Sequence, residues 1–262
     1  MLVETVESAP STMDAARDRL LNGRVHISDS GRTAPAGIMA HWQTGGRGQQ
    51  GRFWFSAPEE SLAITLYMAA PEGCHLIPVA ASLAVGVAAA KAIGALTTRT
   101  GCPIAQGELG LRWPNDIMLR GRKLAGILVE RIALDRGAVA LAGIGVNVNV
   151  SSFPDSLAGS AISLLSAGFT GISPAVLAMY LAEELEAWRR LLFSQGTAPI
   201  VAEWRTMDCC KNTPFTFLLD GAQARGTAAG IEDDGKLRLR LDDGRFVATV
   251  SATHVQACVG AA

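Results

Sequence analysis

This sequence has almost no net charge: 23 Lys and Arg stand against 24 Asp and Glu, for a formal net charge of −1. A chain so balanced offers no overall basic surface, so no direct nucleic-acid partner is expected. Its five cysteines (Cys74, Cys102, Cys209, Cys210 and Cys258) are odd in number and contain no C-x-x-C pair. That argues against both a disulfide framework and a cysteine zinc site. The four histidines are scattered without an H-E-x-x-H pattern, and no dedicated metal ligand is expected. The N-terminus MLVETVESAP has neither a basic start nor an apolar run, so no secretory signal is read there. The one suspicious apolar stretch, Leu76 to Ala90, is closed by Lys91 after 15 residues. That is short of the roughly 20 residues a spanning helix needs, and a buried core helix fits better. The expectation is a cytoplasmic protein with no membrane contact.

What is present is 262 residues at 49% hydrophobic composition, enough for one large core with or without a small satellite domain. Ser11, followed by Thr12, Met13 and Asp14, reads as a helix start running to about Leu21, with Ser11 as cap and Asp14 in the first turn. Gly37 to Gln43 and Ser61 to Met68 read as strands, and Leu76 to Leu96 as the buried helix. LGLRW, IML, KLAGILVERI and AVALAGIGVNVNV then form a meander. Its breaks at Pro114-Asn115-Asp116, Arg120-Gly121-Arg122 and Asp135-Arg136-Gly137 are turn chemistry. Ser173-Pro174 caps a helix whose Leu177, Leu181, Leu185 and Trp188 share a face, and a short helix follows over Pro199 to Met207. From Asn212 to Cys258 the pattern changes to four or five short strands. Asp220-Gly221, Asp234-Gly235 and Asp243-Gly244 punctuate them. The boundary falls near 206–212, dividing the chain into 1–208 and 209–262. No helix-turn-helix module is expected ahead of the first domain.

Gly46 to Gly51 spells G-x-G-x-x-G within GGRGQQGR. A dinucleotide fingerprint needs a helix directly after the glycines and an acidic residue about twenty positions on. Here RFWFSAPEE and a second strand follow instead, and the dinucleotide reading fails. Glycines still let backbone N–H groups converge on an anion, and Arg47 and Arg52 add fork-shaped cationic donors. Three further stretches carry chemistry. RWPNDIML sets Asn115 and Asp116 in a tight turn, GRKLAGILVE puts Lys123 at the mouth of an apolar strand, and GIGVNVNV places Asn147 and Asn149 on one strand face. Each also has a plain structural explanation as turn, solvated lysine or satisfied amide.

Together, STMDAA, QTGGRGQQGR, RWPND, KLAGILVE and GIGVNVN resemble the biotin protein ligase family, in the right order and over nearly the whole chain. The resemblance implies an α+β fold: a mixed β-sheet with helices on one face, then a small SH3-like β-barrel. It implies ATP-dependent activation of biotin to biotinyl-5′-AMP, then transfer to a specific lysine of an apo biotin carboxyl carrier protein. By that resemblance Lys123, Arg47 and Asp116 are catalytic. Ser11, Thr12, Met13, Gln43, Gly46, Arg47, Gly48, Gln49, Lys123 and Gly126 bind biotin. Arg52, Trp54, Asn115, Asp116 and Asn147 bind ATP, with Trp54 near the adenine and Mg²⁺ carried in with the nucleotide. Asp116 is open to metal coordination or to orienting the carrier lysine. The glycine loop becomes a substrate-ordered lid that keeps water from a reactive mixed anhydride. The family includes both monomers and homodimers.

Two departures stand out. Gln49 and Gln50 occupy loop positions where family members often carry arginine, removing charge that holds the adenylate. Arg112 stands where lysine is common before W-P-N-D, keeping charge but changing geometry. The rivals are a lipoate or octanoate ligase or transferase of the same superfamily, and a biotin-binding protein without turnover. A DNA-binding repressor is disfavoured because no winged-helix module is read.

Overall fold

The computed structural model describes residues 2–254 apart from 76, 136 and 220. Leu76, Arg136, Asp220 and Cys258, used above to place a helix start, two turns and a strand limit, lie outside the described residues. The chain runs β1 (Val3–Ala9), α1 (Thr12–Leu21), β2 (His26–Ile27), β3 (Thr33–Ala34), β4 (Gly37–Gln43), β5 (Ser61–Ala69), α2 (Pro78–Arg99), β6 (Leu109–Arg112), β7 (Asp116–Leu119), β8 (Arg122–Leu134) and β9 (Gly137–Asn147). After these come α3 (Pro174–Gln195), α4 (Ala198–Thr206), β10 (Pro214–Leu219), β11 (Ala222–Ile231), β12 (Leu237–Arg240), β13 (Phe246–Thr249) and β14 (Ala252–His254). A seven-stranded sheet has the order β1-β4-β5-β9-β8-β7-β6. Its β1–β4 pair is parallel and the other pairs are antiparallel. The β10–β14 strands make a separate five-stranded antiparallel sheet in the order β13-β12-β11-β10-β14.

Strand β5 shows why helices cover both faces. All nine of its residues are buried, as a strand with packed layers above and below requires. Leu62, Ile64, Leu66 and Met68 join a cluster with α2 and α3, whereas Tyr67 and Ala69 join Met13, Ala16 and Leu20 of α1. The expectation of helices on one face is therefore corrected: α1 takes the opposite face from α2 and α3. The β1–α1–β4 connection makes this so, because it returns α1 across the sheet between two parallel neighbours. Strand β1 itself escaped the sequence reading.

Helix α2 is 22 residues long, exceeding the 15-residue apolar run read from sequence, and is long and apolar enough to cross a membrane; 78% of its apolar window is buried inside the fold. Its alanines let the backbone lie close to the sheet. The small sheet joins the large one through a shared core containing Phe215, Phe217, Ile231, Leu237 and Leu239. Trp113 Nε1 donates to Gly235 O at 3.1 Å, and Trp113 N donates to Cys210 Sγ at 2.9 Å. Burial pushes the Cys210 thiol up, so it packs there as an uncharged apolar group.

Candidate active site

The N-terminus of α1 forms one wall of the site, tied down by side-chain hydrogen bonds. Ser11 caps the helix, its Oγ accepting from Met13 N at 3.2 Å. Thr12 donates to Gln43 Oε1 twice, from its backbone N–H at 2.8 Å and its hydroxyl at 3.1 Å. Thr65 Oγ1 donates to Thr12 Oγ1 at 2.9 Å. The Thr12 backbone N–H fixes which way the Gln43 amide points, because only an oxygen can accept there. The Gln43 amide nitrogen is left with no acceptor among the described contacts, and the Ser11 hydroxyl proton is likewise unspent. Two donors are thus presented side by side from buried residues, while the Thr12 hydroxyl proton is already used.

A row of glycines forms the floor. Gly126 of β8 pairs with Gly145 of β9, and Gly143 lies two residues along the same strand. A Cβ on Gly145 would come within 2.4 Å of the Trp54 ring, on Gly126 within 2.9 Å of it, and on Gly143 within 2.7 Å of Met13 Sδ. Three bare positions therefore let the indole and the thioether lie directly on the sheet backbone. The Trp54 Nε1 is buried without a hydrogen-bond partner among the described residues.

The GGRGQQGR loop folds back as a tight hairpin over this floor. Gly45 N donates to Pro10 O at 2.8 Å, Gly48 N to Arg52 O at 2.7 Å and Trp54 N to Gly46 O at 2.9 Å. Arg47 and Phe53 bridge across it, and Gln49–Gly51 make a single 3-10 turn. Gly51 takes φ of 72°, a left-handed value that suits glycine. No helix follows the last glycine; the next element is strand β5.

Cations and acids face one another across the opposite wall. Lys123 Nζ sits 2.5 Å from Asp116 Oδ1, and Arg112 holds Asp116 Oδ2 at 3.1 Å. Lys123 also lies 5.6 Å from the centre of the Trp54 ring. Backbone pairing fixes where this lysine starts: Lys123 N donates to Ser160 O at 2.8 Å and Ile162 N to Lys123 O at 3.0 Å. Asn147 ties the corner, its amide nitrogen reaching Ile162 O at 3.2 Å and Lys123 O at 3.5 Å. Asn115 Nδ2 donates to Ile127 O at 2.8 Å, closing the turn before Asp116. Arg47 is held from α1 by Asp14 at 2.6 Å.

Most of these groups, though not Asp14, Thr65 or Ile162, line one cavity of about 500 Å³. Every site residue named from sequence lines it except Gly46, whose carbonyl is used inside the hairpin. Asp116 is the only carboxylate on its described walls. A pocket with two donors at one end, an apolar glycine-floored middle and several cations suits an elongated acid with a polar head, meeting a polyanion. Among the described residues no group of three His, Cys, Asp or Glu is placed to hold a metal.

A model of the biotin/lipoate A/B protein ligase family matches residues 9–149, and one of the biotin protein ligase C-terminal domain matches 215–255. The biotin–[acetyl-CoA-carboxylase] ligase of Paracoccus denitrificans is 32% identical over 222 residues, covering 83% of this chain and 89% of that protein. The chain belongs to the biotin protein ligase family. The bifunctional ligase/repressor BirA of Escherichia coli is 31% identical over 209 residues, which are 78% of this chain but only 61% of that protein. This family member thus spans under two thirds of the bifunctional relative's length. The structure of a biotin protein ligase from Aquifex aeolicus in complex with biotin and ATP superposes with a TM-score of 0.77 at 19% identity, covering 98% and 99% of the two chains, and so shares the fold.

Several wall residues of this family member were not read from sequence: Thr65 behind Thr12, the glycines of GIGVN, and Phe55 with Phe153, whose rings lie 6.2 Å apart. Gly143 and Gly145 did leave a signal, since glycines two apart in a central strand mark a close approach on one face. Phe153 and the 157–161 wall left none, lying in an irregular segment that only tertiary pairing brings to Lys123. The expectation that Asn147 and Asn149 share a strand face is corrected. Strand β9 ends at Asn147, and Asn149 turns away to donate to Ile172 O at 3.1 Å.

Proposed function

We propose that this chain activates biotin with ATP and passes it to a lysine of an apo biotin carboxyl carrier protein. The supporting observation is that Arg47 and Lys123, 76 positions apart in sequence, line one cavity. A carboxylate and a triphosphate repel by about 4 kcal/mol at 4 Å and an effective dielectric near 20, and these cations offset that repulsion where the two must meet. In the first step a biotin carboxylate oxygen attacks the α-phosphorus. The bond to the β-phosphate oxygen breaks, and pyrophosphate leaves with its charge. In the second, the carrier amine attacks the acyl carbon of the mixed anhydride and AMP departs. The chain contributes position and charge rather than a covalent intermediate.

Each role follows from the contacts. The ureido carbonyl of biotin accepts from the Ser11 hydroxyl and the Gln43 amide, while Thr12 holds Gln43 and the Met13 backbone holds the Ser11 hydroxyl. Met13, Gly126 and the glycine floor form the apolar wall for the chain. Trp54, expected beside the adenine, lies on that same floor, and we assign it to the biotin side. Lys123 exchanges Asp116 for the biotin carboxylate. Asn147 Oδ1, which accepts no bond among the described residues, is available to the nucleobase, and Arg52 with the Gly48–Gln49 backbone faces the phosphates. Mg²⁺ arrives with ATP. Arg112 keeps one Asp116 oxygen after Lys123 has moved to the biotin carboxylate, and no second carboxylate lines the cavity among the described residues, so the fit is to a metal held by the triphosphate rather than by a protein cage. Residues 1–208 form the catalytic unit and 209–262 the small β domain, and the reaction belongs to the cytoplasm.

The test is incubation with biotin, ATP, Mg²⁺ and an apo carrier domain. The expected result is a mass gain on the carrier lysine together with biotin-dependent ATP–pyrophosphate exchange. Binding of biotin without exchange would overturn the ligase reading in favour of a binding protein. Exchange driven by lipoate or octanoate instead of biotin would reassign the acid.

A further inference from the structure

Arg47 is a cation of the cavity whose position depends on an acid outside the cavity. Its NH2 group meets Asp14 Oδ1 at 2.6 Å. Its Nε and NH1 have no partner among the described residues, so the guanidinium is docked by one arm and open on the others. Asp14 belongs to the first turn of α1, directly after the three residues Ser11, Thr12 and Met13 that line the pocket. That turn is itself anchored to β4 and β5 through the Gln43 and Thr65 contacts with Thr12. Arg47, by contrast, sits in a hairpin joined to the body by few bonds. Its sequence neighbours Gly46 and Gly48 spend their backbone groups within the hairpin.

We propose that Asp14 is a positioning residue: it references Arg47 to the same rigid helix turn that grips the head of biotin, and so sets the distance between the ring-binding donors and the cation that meets the carboxylate and phosphates. The inference rests on the ligase reading above. The Asp14–Arg47 pair is half exposed, at 46% and 44% side-chain accessibility, and such a pair stabilises the fold little. Its value lies in orientation. An arginine whose rotamers are cut down before substrate arrives loses less entropy on forming each new bond. The carboxylate also leaves two edges of the fork pointing to anions that arrive later.

The experiment compares Asp14→Asn, Arg47→Ala and the double variant. Half-exposed Asp14 is expected to be dispensable for folding, and unchanged thermal midpoints check this. The expected result is that Asp14→Asn lowers kcat/KM for biotin-dependent pyrophosphate exchange by about fivefold, the upper end for an exposed ion pair, and that the same change has no further effect in Arg47→Ala. Asp14→Glu recovers part of the loss. Equal effects of Asp14→Asn in both backgrounds, or none in either, would overturn the proposal, since a lost helix-dipole contribution acts regardless of residue 47. Amide hydrogen exchange over residues 46–54 gives an activity-independent readout, in which Asp14→Asn exchanges faster than the parent. A parent without pyrophosphate exchange but with this protection difference would sink the ligase reading while leaving the clasp. Full parent activity with no difference in either assay would sink the clasp alone.

Discussion

Replacing Gly145 with alanine tests the glycine floor directly. The new methyl would lie 2.4 Å from both Cε2 and Nε1 of Trp54 and 2.7 Å from Cζ2, well inside contact distance. Strand β9 cannot yield, because Gly145 is paired with Ala63 on one side and Gly126 on the other. The indole must move instead. A tryptophan ring buries roughly 200 Å² when fully covered. Trp54 is half-buried, so lifting it loses about 100 Å², or about 2.5 kcal/mol at 25 cal/mol per Å². Keeping it in place by overpacking costs about 1–3 kcal/mol. Either route predicts a stability loss of about 2–3 kcal/mol, which lowers the thermal midpoint by about 5–10 °C in a chain of this size. The loss of biotin affinity exceeds what stability alone implies, because the displaced ring enters the cavity. Thermal unfolding and a biotin titration on Gly145→Ala, Trp54→Ala and the double variant measure both. If the ring is the obstacle, Gly145→Ala costs almost nothing once Trp54 is alanine. Additive penalties, or a single variant with parental stability and affinity, would refute the close-approach reasoning.

Other outcomes follow from the same geometry. Lys123→Ala should abolish adenylate synthesis while folding normally, since this side chain is a third exposed; pyrophosphate exchange near the parent rate would remove Lys123 from its role. Gln49→Arg should slow release of preformed biotinyl-5′-AMP by restoring charge over the cavity, measured by rapid filtration, and equal release rates would dismiss the leaky-loop idea. Burial raises the Tyr67 phenol from 10 to about 12. The contribution of its neutral form is intact below pH 10 and is lost as pH climbs to 12, by up to about 2.7 kcal/mol at 1.36 kcal/mol per unit. Tyr67→Phe should therefore flatten that alkaline loss in pH-dependent urea unfolding. An unchanged slope would show that other groups, such as Cys209 at about 11, dominate it.

Element type was legible wherever local pattern and tertiary burial agreed. Helix α1 begins where Ser11 can cap it, and α3 begins at Pro174 behind Ser173. The meander from Leu109 to Asn147 was readable because turn residues interrupt it at each reversal. Strand β1 was not: VETVESA pairs on one edge only, its burial is partial, and its parallel partner lies beyond α1. Layer assignment failed for a related reason. Whether α1 lands above or below the sheet depends on the β1–α1–β4 crossover, which no local period encodes. At the site, residue identities could be listed from motifs, but bond partners could not. That Thr12 spends its proton on Gln43, or that Asn147 spends its amide on the Lys123 corner, depends on contacts between segments 24 to 31 positions apart.

The ionic arrangement explains how a site for two anions exists before either arrives. Lys123 and Arg47 would repel each other, and each would hold a shell of water, if they faced an empty cavity alone. Asp116 and Asp14 prevent both effects while differing in what they surrender. Asp116 lies in the wall and is shared between Lys123 and Arg112, so in the proposed reaction, where Lys123 turns to the biotin carboxylate, Arg112 still neutralises the acid left behind. No buried charge is then stranded, which is the costly outcome when one partner of a buried pair leaves. Asp14 stands outside the cavity and pairs with Arg47, and under the proposal above it stays attached while the other guanidinium nitrogens meet substrate. One acid is therefore suited to exchange and the other to hold. The relative burial of the two acids, 17% exposed for Asp116 and 46% for Asp14, follows that division of labour.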